Sequence, residues 1–114
     1  MTAEPKLSRK LVLEERASLP DGSGGCTVAW VALGTIWAEV TARSFGREEF
    51  IAGQARPRVK YRMLVRGAPV GAPSRPRPDQ RFREGQRIFD ILTVAEHDAG
   101  GRFLEILAEE GVLS

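Results

Sequence analysis

Thiols and imidazoles are nearly missing from this chain, which has one cysteine, Cys26, and one histidine, His97, in 114 residues. A single thiol excludes an intrachain disulfide, and one Cys with one His falls short of the donor set of a zinc site. Cys26, between Gly25 and Thr27, reads as a small half-buried residue and not as a nucleophile. Nucleophile and phosphate-loop signatures are missing too. No Gly-x-Ser-x-Gly occurs, and Gly22-Ser23-Gly24-Gly25 has no following Lys-Ser/Thr and opens no helix, so it reads as a turn. His97 falls beside Asp98 in a turn. The pairs Glu48-Glu49 and Glu109-Glu110 point apart along an extended chain and read as solvated faces. With no convergent acid, base or metal set, the expectation is a protein that is not an enzyme and takes no cofactor or metal.

Long apolar runs are also missing. The longest, Val28 to Ala38, is interrupted by Gly34 and Thr35 and is too short to span a bilayer. Met1 to Lys10 has no apolar core of a signal peptide. These features read as a soluble chain made in the cytoplasm with no membrane partner.

What the chain does have is segregated charge. Its net charge of +2 combines a middle of twelve bases and four acids over residues 43–87 with a tail of one base and six acids over 88–114. Fourteen of the seventeen bases are arginine, which favours planar contacts to carboxylate or phosphate. A coding bias accounts for arginine over lysine, but not for segregation along the chain.

The length fits one domain over residues 1–114 with a modest core. Residues 1–8 read as a flexible N-terminal arm. Arg9 to Glu15 is a strand with Leu11 and Leu13 on one face, and Asp21 to Gly25 is a dense turn signal. A second strand runs from Thr27 to about Ala42, with Gly34-Thr35 marking a bulge or bend. Residues 43–58 lack alternation and read as a long loop that holds at most a short helix. Arg58 to Arg66 alternates strictly, placing Val59, Tyr61, Met63 and Val65 on a core face and Lys60, Arg62 and Arg66 on a basic face broken by Leu64. Residues 67–80, with four prolines between Pro69 and Pro78, read as a second long, exposed loop. Arg81 to Arg83 and Arg87 to Val94 are strands. The Asp98 to Gly101 turn leads into Arg102 to Glu109, a segment whose spacing also fits a helix and which its Gly-Gly turn favours as a strand. The expected fold is all-β: a small antiparallel β-barrel or sandwich of five to six strands with long loops. Its expected core holds Ile36, Val40, Val59, Tyr61, Met63, Val65, Phe89 and Ile91.

The order of weak motifs carries a resemblance over Leu11 to Glu110. The Gly-rich first hairpin is followed by Trp37-Ala38-Glu39-Val40, by Gly46-Arg47-Glu48 opening the long loop, and by the alternating Arg58 to Arg66. Gly85-Gln86-Arg87-Ile88-Phe89-Asp90-Ile91 then precedes a terminal hairpin. In this order the chain resembles the head-tail joining, or head-closure (stopper), proteins of tailed phages and gene transfer agents. The resemblance implies a homo-oligomeric ring, a hexamer by family likeness, in the neck of a particle. There it would lie between a portal-adaptor protein and a tail terminator or other tail protein, with double-stranded DNA in the channel.

By resemblance the channel loop is 43–58. Arg43, Arg47, Arg56 and Arg58 would then meet phosphate or a neighbouring subunit's carboxylates, and Gly46 and Gly53 would serve as flexible points. The Pro69 to Pro78 loop is the second candidate to line the channel. An alternative reading is a free-standing nucleic-acid-binding β-barrel module. It calls for surface aromatics beside the bases, and Tyr61 falls on the face opposite the basic stripe.

Overall fold

Six strands, all antiparallel, close into a barrel: β1 (Arg9–Pro20), β2 (Cys26–Ile51), β3 (Gln54–Arg66), β4 (Arg81–Glu84), β5 (Arg87–Glu96) and β6 (Phe103–Gly111). Around the wall their order is β1-β2-β3-β6-β5-β4. The computed structural model describes residues 4–51 and 54–111, and of 44–51 and 54–58 it describes the backbone alone. Closure leaves no open edge along the shared wall, as a six-stranded sheet of this size requires if it is not to expose unpaired backbone.

Period-2 alternation decides what faces inward. Met63 and Val65 of β3 are fully buried, and their register partners Ile106 and Leu104 on β6 complete the layer. Leu11, Leu13, Ala38, Phe82, Phe89, Ile91 and Ala108 fill the rest, with Ile36, Val40 and Tyr61 packed against them. Val59 is only half-buried. The 103–111 segment, whose spacing also suited a helix, alternates inward Leu104, Ile106 and Ala108 as a strand.

Two strands outrun the barrel. β1 meets β4 only over Val12–Glu14, and the β2–β3 pairing starts at the Ala38–Val65 pair. Beyond those limits β1 and β2 continue together as a two-stranded ribbon, from the Glu15–Val31 pair to Pro20–Cys26. At the opposite end β2 and β3 form a second ribbon, from Arg47–Arg58 to Ile51–Gln54. Of the long loop expected over 43–58, residues 44–51 and 54–58 are paired strands instead, and no helix forms among the described residues. Register shifts between Ala42 and Ser44 and between Ser44 and Arg47 reset the alternation, which is why the pattern looked irregular. The bulge anticipated at Gly34-Thr35 lies one step earlier, at Leu33, between the Leu13–Gly34 and Glu14–Ala32 pairs.

The 67–80 connection is mostly exposed, as its composition suggested, but it is folded into turns and tied down rather than extended. Successive turns join Ala72 N–H to Pro69 C=O and Arg75 N–H to Ala72 C=O, and Pro76 is fully buried. Both ends are tied to the barrel. The Gly67 N–H donates to Arg102 C=O at 2.7 Å, and the Ile91 N–H donates to Gln80 C=O. Gly67 is required by crowding, because a Cβ there would stand 2.0 Å from the Gly101 carbonyl oxygen. The segment before β1 crosses the outer wall: the Lys6 N–H donates to Glu39 Oε2 at 2.8 Å, and Arg102 pairs with Glu4 at 3.3 Å. Leu64, on that outer side and across from Glu39, is 4% exposed.

Candidate functional site

At the barrel end from which the β2–β3 ribbon departs, inward alternation and one tight turn collect five polar side chains. Gly85, at φ 61°, lets the chain reverse so that Glu84 and Arg87 close the β4–β5 ladder side by side. Arg9 binds both carboxylate oxygens of Glu84, with Nε–Oε2 at 3.0 Å. Arg87 likewise donates to both oxygens of Glu110, at 2.9 and 3.2 Å, and Nη2 donates to the Tyr61 hydroxyl at 3.1 Å. That hydroxyl in turn donates to Glu110 Oε1. The Tyr61 ring meets Phe89 edge-on at 5.3 Å, so the polar network rests directly on the apolar core.

The arginines hold their acids ionised. Hydrogen bonding from Arg9 lowers the Glu84 carboxyl below its ordinary range, and hydrogen bonding from Arg87 does the same to Glu110. Tyr61 moves the other way, raised by burial and then by its bond to Glu110. This arrangement braces strands β1, β3, β4, β5 and β6 against one another. It has no nucleophile and no free base.

The ribbon carries the residues expected to meet DNA or a neighbour. Arg43 is exposed at the first register shift. Arg47 and Arg58 are directly paired in register, and Glu49 pairs with Arg56. Gly46 lies within the second shift, and Gly53 lies outside the described residues.

The basic face of β3 is not one surface. Lys60 is half-buried and registers with Glu109, Arg62 is paired with Glu105 at 2.7 Å, and Arg66 is exposed at the other end of the strand. The fold thus brings Arg47, Arg56 and Arg58 onto one ribbon with Arg43 at its base, and leaves Arg66 apart.

Much of the segregated charge is neutralised within the chain. The basic middle pairs with the acidic tail through Arg62–Glu105 and Arg87–Glu110, and with the first strand through Arg77–Glu15 and Arg81–Glu14. Glu14 is the cluster that spacing could not disclose. It is 3% exposed, held by Arg81 at 2.8 Å and Arg83 at 3.3 Å. Arg81 also stacks over Trp30, 4.1 Å from the ring centroid, with Arg16 at 5.4 Å. The only sequence signal near it is an acid following the Leu11–Leu13 alternation. Cys26, expected half-buried, is exposed at the start of β2.

Comparison with known proteins bears on this geometry. A family model described as "phage head completion protein" matches residues 3–111. A solved structure, "virion of native gene transfer agent (GTA) particle", contains a chain 50% identical to this one. The alignment covers 97% of this chain and 100% of that chain, with a TM-score of 0.78. No curated protein matches.

Proposed function

The chain belongs to the phage head completion protein family and is a structural component of a phage-like particle rather than an enzyme; on that premise we propose that it forms a ring in the particle neck, with its β2–β3 ribbon turned toward the DNA channel. The ring lies between the portal-adaptor on the head side and a tail protein on the other. The observation that carries this reading is the ribbon itself, which outruns the barrel wall from the end braced by the Tyr61–Glu110–Arg87 network. An irregular loop of this length would have to be ordered on assembly, at about 1–2 kcal/mol of backbone entropy per residue. A hydrogen-bonded ribbon has met most of that cost in folding.

The charge of the ribbon suits passage better than capture. Residues 43–58 hold Arg43, Arg47, Arg56 and Arg58 against Glu48 and Glu49. Phosphate contacts of this kind are independent of sequence and weaken with salt. A few copies acting together retain a DNA end without binding it tightly.

A register-preserving truncation tests the proposal. Residues 48–57 are replaced by an Asn-Gly turn that joins Arg47 to Arg58, the pair already opposed in the ladder. Particles carrying it are expected to fill with DNA and then leak it or fail to join tails, with the barrel still folded. Normal, tailed, DNA-retaining particles would remove the ribbon from the channel and move the role to the 67–80 connection.

A further inference from the structure

Two features on opposite walls are unexplained by the channel role. On one wall Trp37 stands 51% exposed on the outside of β2. Lys10 of β1 is its register partner. On its other side, one step past the Ala38–Val65 pair, is Arg66 of β3. Lys10 and Arg66 are both exposed, and neither has an acidic partner among the described residues. Three adjacent strands thus present an indole between two free cations.

The other wall is its counterpart. β5 lies three strands from β2 in either direction around the barrel, so their outer faces are diametrically opposed. Here Leu92 faces outward, 39% exposed, at the register shift between Ile91 and Thr93. A groove of about 490 Å³ runs beside it, lined by Pro78, Asp79, Asp90 and Leu92 and, from the β1–β2 ribbon, by Arg16 stacked on Trp30. Asp90 is exposed, and the Asp79 side chain is 82% exposed with only a 4.0 Å approach to Arg77. Groove, two acids and an apolar lip match indole and two cations in kind and in sign.

We propose that these walls are the two halves of the subunit contact: Trp37 of one copy seats in the Pro78–Leu92 groove of the next, with Lys10 and Arg66 facing Asp79 and Asp90. This rests on the ring reading and names the surfaces it requires. A ring needs a head-to-tail contact between two different patches on one chain, and patches on opposite walls propagate from copy to copy. A buried Trp flanked by charged pairs is the usual anchor of such a contact. The complementary charges set its direction, because turning a copy around sets like charges together.

Assembled particles test this without altering the protein. A carbodiimide, which joins an amine directly to a carboxylate, is expected to yield covalent bands of two or more copies. Peptide mapping of those bands should show Lys10 linked to Asp79 or Asp90. An amine-to-amine reagent applied to the same particles reports the ring alone. If it gives a ladder of multimers while Lys10 is never linked to either aspartate, the ring stands and this contact is wrong. If neither reagent joins copies, the ring reading falls with it. In a second arm, Lys10→Glu with Arg66→Glu is expected to lower incorporation into particles by about tenfold, and adding Asp79→Lys with Asp90→Lys to restore it. Failure of the added reversals to restore incorporation overturns the pairing.

Discussion

The Tyr61 hydroxyl donates to Glu110 Oε1 across 3.1 Å, tying β3 to β6 at the barrel end from which the β2–β3 ribbon leaves. Because Arg87 grips the same carboxylate, Glu110 stays ionised where an unfolded chain would protonate. Glu84 is held the same way by Arg9.

That gives a signed pH dependence. Both carboxyls are lowered by folding, so their stabilisation is complete above the unfolded value of about 4.3 and is lost as pH falls through the folded values. The side chains are 28–42% exposed, which limits each ion pair to about 1 kcal/mol or less. Urea titrations from pH 7 down to about pH 3 should show the wild type losing stability below about pH 4.3. The Glu84→Gln, Glu110→Gln variant should start lower and show a smaller loss. Parallel curves for the two proteins would remove the network from the acid response.

Core truncation follows from burial. Met63 is fully buried and Ile91 is 2% exposed, and both belong to the single apolar core. Met63→Ala and Ile91→Ala are each expected to cost about 2–5 kcal/mol in equilibrium unfolding. Losses below about 0.5 kcal/mol at both sites would contradict the packing described.

Gly67 supplies a sharper test, because its neighbour is backbone. Gly67→Ala drives a methyl against the Gly101 carbonyl and should destabilise by about 1–3 kcal/mol as the loop ends separate. Gly100→Ala, whose added methyl meets only side-chain atoms at 3.6 Å and beyond, should change stability by less than about 0.5 kcal/mol. Equal effects would contradict the close approach.

Glu14 is expected to matter more than any exposed acid. Glu14→Ala strips two arginines of their shared partner beneath Trp30 and should cost about 2–4 kcal/mol, whereas Glu96→Ala on the exposed rim should be near neutral.

The barrel was legible where alternation is unbroken. Val59 to Arg66 declared both its faces, and Leu11 and Leu13 declared theirs, because a one-residue slip there would turn the apolar side to water. The ribbon over 43–58 was not legible, since bulges at Arg43 and at Phe45-Gly46 shift the period twice within five residues. Four prolines marked the 67–80 connection as exposed, and most of it is, but they gave no sign of how it is held. What binds it is backbone bonding to Arg102 and Ile91 and the burial of Pro76, none of which has a local pattern. The candidate arginines could be named from charge density. Their sorting could not, because the acids that neutralise Arg62 and Arg87 lie 43 and 23 residues away.

The most direct measurement is electron microscopy of the neck in intact, DNA-filled particles at a resolution that traces strands. The account predicts a closed ring of this barrel with residues 43–58 of every copy reaching inward to the end of the DNA density. A ring whose β2–β3 ribbons point outward or along its rim, with another segment meeting the DNA, would contradict it.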